Sequence, residues 1–331
     1  MASTGTPRTG KHLTRHETEI AASAQRVYDI IADAAAWPLH FTPTIHVERT
    51  ALGPADERLE IWANANGEVK HWTSHRELDA AKYRVTFRQE VSSPPVASMG
   101  GEWIVEPLAE ESCRLVLLHD FDAVGDTAEN VAWVERATDR NSRTELANIK
   151  ALAEEWERRQ ELVFSFEDSV VVHGSPEEVY DFLYDAKRWS ERLPHVGSID
   201  LREDVENVQQ MSMLTVTADG SSHTTESVRV CFPATPDGAP GDVPARIVYK
   251  QLVPPSLMTA HLGTWRFEPV PGGVRATSAH TVTINEATIA RVLGPQAGAD
   301  DAKQAVRNGA GGNSRATLGL AKEFAEGRDK R

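Results

Sequence analysis

Polar and apolar side chains alternate from His16 to Ala22, the period of a strand with one face turned inward. Ser23 then offers an N-cap, and Val27, Ile30 and Ile31 recur at helical spacing, which predicts a helix through Asp33. A short second helix around Trp37 to Phe41, kinked by Pro38, follows. Period-2 segments come next at about 44–52, 57–64, 68–78, 82–91, 100–107 and 113–121, bounded by Gly, Pro, Asn and Asp. A helix from about Thr127 to Gln160 closes the set, with Val131, Val134, Leu146, Ile149, Leu152 and Trp156 as its stripe and no proline. This order predicts an antiparallel sheet wrapped around a terminal helix, with a cavity between them.

The same order recurs. Ser23-Ala24-Gln25-Arg26-Val27-Tyr28-Asp29 returns as Ser175-Pro176-Glu177-Glu178-Val179-Tyr180-Asp181 at an offset of 152, which also relates Trp37 to Trp189. Ser74 and Arg76 meet Ser227 and Arg229 at 153, Pro94-Pro95 meets Pro254-Pro255 at 160, and Trp103 meets Trp265 at 162. Asn141-Ser142-Arg143 meets Asn313-Ser314-Arg315 at 172. The growing offset predicts insertions in the second copy, one in the Pro/Gly-rich Pro233–Pro244 stretch and one near Asp300–Gly312. The second copy is expected as a strand over 163–172, a helix over 176–187, strands to about 285 and a closing helix from roughly 301 to 326. The fold class expected is α+β, two tandem domains each with an antiparallel sheet wrapped around a long C-terminal helix, with a disordered tail at 1–14, a first domain at 15–160 and a second at 161–327.

Composition narrows the functional classes. A hydrophobic content of 40% with 25% charged residues is that of a globular protein, and no apolar run reaches the roughly 18–20 residues that span a bilayer. Met1 to Lys11 lacks an apolar segment and reads as a tail without a secretory signal, so a cytoplasmic location is expected. Cys113 and Cys231 are far apart and predict neither a disulfide framework nor a zinc site. A net charge of −14 argues against a nucleic-acid partner, and no His/Asp/Glu cluster or glycine-rich phosphate loop predicts a metal or nucleotide cofactor.

The chemistry concentrates in Trp72-Thr73-Ser74-His75-Arg76-Glu77-Leu78. In a strand, Trp72, Ser74, Arg76 and Leu78 share one face and His75 the other. A buried arginine requires either a carboxylate or a wet cavity. A salt bridge to a core carboxylate such as Asp120 or Glu102, a strand turned outward and a cavity placement each satisfy Arg76; the repeat with Arg229 and the neighbouring Ser74 favour the cavity. His71 and His75 fall on the opposite, solvent face.

Trp72-x-Ser74-x-Arg76, Trp37-Pro38, Pro94-Pro95 followed by Gly100-Gly101-Glu102-Trp103, and Asn141-Ser142-Arg143 resemble the two-domain aromatase/cyclases of bacterial aromatic (type II) polyketide synthesis. The resemblance runs from about His16 to Glu326. It implies a START/Bet v 1-like helix-grip fold whose pocket folds a poly-β-ketone bound to an acyl carrier protein, alongside other synthase components. It also implies an aldol closure and dehydration without a cofactor, between C7 and C12 of a chain reduced at C9.

Enolate chemistry needs an oxyanion donor and a proton carrier. Arg76 fits the first role, Ser74 can bond a neighbouring ketone, and His119 fits the second, because parity places it with Leu115, Leu117 and Phe121. Asn141, or Asp139, is expected to approach from the closing helix. Trp37, Trp72, Trp103 and Met99 are expected to line the pocket, with Ser227, Arg229, His280 and Asn313 as second-copy counterparts. His119 has a plainer reading as a core or rim histidine bonded to backbone, Asn141 as a residue bonding a backbone group where the helix bends, and the tryptophans as core. Loss of the indole at Thr225, where the first copy has Trp72, ranks the first pocket above the second as the catalytic one. The rival functions are a hydrophobic-ligand or lipid-binding module and a cyclase that only shapes its substrate.

Overall fold

The computed structural model describes residues 10–65, 67–217, 220–235 and 243–327. The chain forms two compact units, Met1–Arg159 and Gln160–Arg331. In the first, β1 (His12–Ile20) leads to α1 (Ala24–Ala32) and α2 (Trp37–His40). Six strands follow, β2 (Thr44–Ala51), β3 (Asp56–Ala65), β4 (Glu68–Asp79), β5 (Arg84–Gln89), β6 (Val96–Ala109) and β7 (Ser112–Ala123), and then the long α3 (Ala128–Glu154). They form one antiparallel sheet in the order β1-β7-β6-β5-β4-β3-β2.

The second unit repeats this plan. The short α4 (Trp156–Leu162), which runs across the boundary at Arg159, leads into β8 (Val163–Val172), α5 (Pro176–Tyr184) and α6 (Trp189–Arg192). Strands β9 (Val196–Val205), β10 (Val208–Val216), β11 (Ser222–Phe232), β12 (Arg246–Val253), β13 (Met258–Val270) and β14 (Gly273–Ile284) precede α7 (Ile289–Leu293) and α8 (Ala299–Ala325). Its sheet runs β8-β14-β13-β12-β11-β10-β9. The α+β helix-grip expectation holds for both halves.

Local chemistry sets the helix starts. Ser23 Oγ accepts from Arg26 N at 3.4 Å to open α1, and Ser175 forms a full capping box with Glu178 to open α5, with Pro176 in the first turn. Thr127 caps α3, whose buried Val134, Thr138, Ser142, Leu146, Ile149 and Leu152 recur every three or four residues on the face turned to the sheet. Full burial of each aliphatic side chain among them contributes about 1.5–3 kcal/mol.

Three expectations need correction. The strand predicted from His16 begins at His12, so residues 12–14 belong to β1 and not to a tail. Its inward residues there are Thr14 and His16 while Leu13 is 62% exposed, so hydropathy does not mark it. Residues 1–9 of the predicted tail lie outside the described residues. The helix predicted from Thr127 to Gln160 breaks at Glu155, which leaves helical geometry at φ −107°, ψ 14°. The late insertion lies before α8 and not within Asp300–Gly312: the segment from Asn285 to Gly298, with α7, stands where the first half has only Val124–Thr127, while α3 and α8 are both 27 residues long. Part of the predicted Pro233–Pro244 insertion, residues 236–242, lies outside the described residues. Among the described residues, no helix is long and apolar enough to cross a membrane.

Candidate active site

One cross-strand row organises the inner face of each sheet. In the first domain Glu57 on β3 faces Arg76 on β4, Arg76 faces Phe87 on β5, Phe87 faces Gly101 on β6, and Gly101 faces His119 on β7. Direct cross-strand partners share a face, so these side chains line one side of the sheet. In the second domain the same row reads Gln209, Arg229, Tyr249, Gly263, His280. Glycine is required in the fourth place because the aromatic ring of the preceding strand lies over it. A Cβ at Gly101 would sit 2.6 Å from Phe87 Cζ, and one at Gly263 would sit 2.0 Å from Tyr249 Cζ.

Arg76 is 3% exposed and makes four hydrogen bonds. Nε and Nη2 bind Glu57 Oε1 at 2.8 and 2.5 Å, Nη1 binds Ile31 O at 3.0 Å, and Nη2 binds Ala32 O at 2.7 Å. One Nη1 hydrogen is left from the five that the group carries. The indole of Trp37 covers the guanidinium at 5.1 Å. Glu57 also binds Arg49 through Nε at 2.9 Å, so a buried carboxylate is held between two cations. The salt bridge considered for Arg76 therefore exists, with Glu57 as partner. Asp120 pairs with Arg88 and Glu102 with Arg84.

His119 is 9% exposed, meets Phe87 edge-on at 5.6 Å, and has a buried Nδ1 with no partner. Burial first, and the neighbouring His16 second, lower its pKa to about 4, against an opposing pull from Asp120, so the ring is neutral near pH 7. Ser74 is buried and its hydroxyl donates to Arg88 O at 3.2 Å. Asn141 does not enter the site: it is exposed, and the next residue, Ser142, is the one buried against the sheet. One helical residue is a rotation of about 100°, enough to exchange the outer for the inner face. Asp139 is also at the surface, where it accepts from Arg143 and contacts His16 Nε2 at 2.9 Å, tying α3 to β1. Arg143 first and His16 second hold its pKa down to about 2.

The expected aromatic wall is divided. Trp37 and Trp72 pack together with Ala34, Val47, Leu59 and Ile61, and Trp37 Nε1 donates to Ile30 O at 3.2 Å. Trp103 packs in the main core, and Met99 packs with Phe121, Ala123 and Val134.

The second domain differs at chemically decisive places. Arg229 is 1% exposed and donates from Nη2 to Leu183 O at 2.5 Å, while its Nε and Nη1 have no partner. Trp189 covers it at 4.9 Å. Burial pulls its pKa below the usual arginine value. Ser227 is buried beside it, two residues away on β11. His280 is bonded on both nitrogens: Nδ1 meets His261 Nε2 at 2.9 Å and Tyr249 Oη at 3.3 Å, and Nε2 meets Ser314 Oγ at 2.8 Å and Ser278 Oγ at 3.1 Å. His261 Nδ1 meets Gln251 Oε1 at 2.8 Å. Asn313 is half-buried and, as in the first domain, the serine after it is the inward residue. Sequence reading missed Ser142, Ser314, Tyr249 and His261. The offset of 162 that relates Trp103 to Trp265 also sets Tyr249 against Phe87 and His261 against Met99, and that was the available signal. Among the described residues, no group of three or more His, Cys, Asp and Glu is placed to hold a metal.

Two family models, both described as polyketide cyclase/dehydrase and lipid transport, match residues 11–154 and 172–307. A granaticin polyketide synthase bifunctional cyclase/dehydratase from Streptomyces violaceoruber is 42% identical across 95% of this chain and 94% of its own. The chain belongs to the two-domain polyketide aromatase/cyclases. As a member, it is an enzyme of the cyclase/dehydratase type. An actinorhodin polyketide synthase bifunctional cyclase/dehydratase from Streptomyces coelicolor is 43% identical over 94% of this chain and 96% of its own. The crystal structure of the di-domain aromatase/cyclase BexL, from the BE-7585A biosynthetic pathway, superposes with a TM-score of 0.86 at 49% identity, covering 95% of this chain and 99% of that one.

Proposed function

We propose that this aromatase/cyclase closes and aromatises the first ring of a poly-β-ketone carried on an acyl carrier protein, joining C7 to C12 of a chain reduced at C9. The reading rests on one observation, the row that sets a cation at Arg76 and a neutral imidazole at His119 on one sheet face in a chain of this family. A methylene between two carbonyls gives its proton to His119, and the carbanion adds to a ketone carbon to form the ring bond. The alkoxide so formed takes a proton, and water then leaves.

Burial supports His119 as the base because it keeps the ring unprotonated, and negative charge developing beside the ring raises its affinity for the proton. Arg76 combines two tasks. Most of its hydrogen bonds join the end of α1 to β3, and its remaining Nη1 hydrogen is available to a substrate oxygen. Ser74 keeps the role of a neighbouring polar group, and Trp37, Trp72, Trp103 and Met99 that of apolar lining. Ser142, buried on α3 one residue after Asn141, supplies the polar group from the closing helix.

The test is product analysis with a minimal synthase and ketoreductase, with and without this protein. Adding the protein should shift the products to one C7–C12 aromatised compound. An unchanged mixture would refute the proposal.

A further inference from the structure

The second domain holds a hydrogen-bonded chain that the first does not. Gln251, His261, Tyr249, Ser278 and His280 project from β12, β13 and β14 onto the face crossed by α8, which supplies Ser314. The first domain has Met99 in place of His261, Phe87 in place of Tyr249 and Leu117 in place of Ser278, all apolar. The chain has a direction. An amide oxygen only accepts, so Gln251 Oε1 places the proton of neutral His261 on Nδ1. His261 Nε2 then accepts, His280 Nδ1 carries its proton, and His280 Nε2 accepts from Ser314 or Ser278. Tyr249 Oη touches the protonated nitrogen of the same ring.

Beside this chain lies Arg229, fully buried, with Nε and Nη1 unpartnered. The residue opposite it, Gln209, gives its amide hydrogens to Tyr184 O and Glu203 and none of its atoms to the arginine. Thr225 Oγ1, from the same face, is also buried without a partner. Arg76, by contrast, has four of its five N–H donors filled by Glu57 and the carbonyls of Ile31 and Ala32. Unfilled donors on a buried cation fit a ligand rich in carbonyl or enolate oxygens.

We propose that the second domain carries its own acid–base site, formed by His280, Tyr249 and His261 with Arg229 holding a nearby carbonyl oxygen, which removes water from the hydroxylated ring left by the aldol closure. This rests on the proposed polyketide function. In the step, the carbon next to the ring carbonyl gives its proton to His280 Nε2. The C–O bond of the neighbouring carbinol breaks as the C=C bond forms. The leaving hydroxyl takes the phenol proton of Tyr249 and departs as water, and Tyr249 recovers a proton from His280 Nδ1. One proton and one hydroxyl leave the substrate and both catalytic residues end neutral, His280 with its proton on Nε2; exchange with solvent as the product leaves returns it to Nδ1. His261 accepts from His280 Nδ1 before the step and so fixes the tautomer in which Nε2 carries the basic lone pair, which exchanges its serine hydroxyl for the substrate proton. It is a positioning residue.

The test uses the full chain in the reconstituted synthase, comparing wild type with Tyr249→Phe and His280→Gln. Tyr249→Phe restores the residue that the first domain holds at the same point of the row, so the fold is expected to persist, as a melting curve will check. Both variants should accumulate a cyclised product heavier than the aromatic one by a molecule of water, with dehydration slowed at least tenfold and ring closure unchanged. His261→Gln should shift the pH profile of the dehydration step more than its maximum. Wild-type product ratios in both Tyr249→Phe and His280→Gln would overturn the site, and so would loss of every cyclised product. Failure of the cyclase reading itself would appear differently, as a wild-type protein without effect on the linear chain's products.

Discussion

Arg229 and Gln209 face each other across the β10–β11 ladder without a hydrogen bond between them, where the first domain joins Arg76 to Glu57 at 2.8 Å. The same buried cation is thus neutralised in one domain and left exposed to its own desolvation in the other. Replacing a paired buried charge by a hydrophobic group of one partner only leaves the other stranded, at about 3–5 kcal/mol, whereas removing an uncompensated charge relieves a cost. Arg76→Met should therefore lower the denaturation midpoint strongly, because Glu57 Oε1 and the carbonyls of Ile31 and Ala32 lose their donors and Glu57 keeps only Arg49, on Oε2. Arg229→Met should leave it unchanged or raise it. Urea titrations followed by tryptophan fluorescence will separate the two, and an equal loss in both would refute the contrast.

Gly101 is held to glycine by two neighbours at once. A Cβ there would approach Leu118 O to 2.2 Å and Phe87 Cζ to 2.6 Å, and the first of these is backbone that cannot swing away. Gly101→Ala should cost about 1–3 kcal/mol, the range for overpacked sites, and displace Phe87 from His119. Phe87→Tyr should be tolerated, since Tyr249 already occupies the equivalent place. Comparing the melting temperatures of the two variants checks both statements.

His119 makes stability depend on pH with a definite sign. Its folded pKa, about 4, lies below the ordinary value of 6.5, so the unfolded chain binds the proton more readily between those values. The stabilisation is complete above about pH 6.5 and is lost as pH falls toward 4, up to roughly 3 kcal/mol for this ring. Burial lowers His261 and His280 in the same direction. Urea midpoints measured from pH 7.5 to 4.5 should fall, and the fall should be shallower in His119→Gln. The ring-closing rate should show no loss near pH 6.5, where an ordinary histidine protonates.

How far the sequence carries this picture depends on which distances matter. Period-2 alternation and the offsets of 152 to 162 locate the strands, and cross-strand pairing then brings Arg76 into one row with His119. The partner of Arg76 was hidden because it depends on where the end of α1 meets β3, a contact between segments 45 and 19 residues away from it. Asn141 and Ser142 both recur, so the repeat does not tell them apart, and a helix turned by one residue exchanges its inner and outer faces. Tyr249 and His261 are silent for the opposite reason: a repeat marks what its copies share, and these two stand where the copies differ, in the polar chain of the second domain.

Helix α8 carries a further consequence of that difference. It contains Gly309, Gly311, Gly312 and Gly319, while α3, of the same length, has no glycine. Packing does not require Gly309, where a Cβ would meet nothing within 4 Å, or Gly312, where it would meet only Arg315 Nη2 at 4.0 Å. Each glycine in a helix interior costs roughly 1 kcal/mol relative to alanine, so this turn yields before the rest of the helix does. It lies directly before Ser314, whose hydroxyl holds His280. A substrate reaching the buried row would enter most cheaply where the covering helix opens with least loss. The double variant Gly309→Ala, Gly312→Ala should thus be more stable, by about 1–2 kcal/mol, and slower in the dehydration step, with ring closure in the first domain unaffected. Amide hydrogen exchange across residues 305–316 should slow in parallel. A more stable helix with unchanged dehydration would show that the substrate reaches His280 by another route.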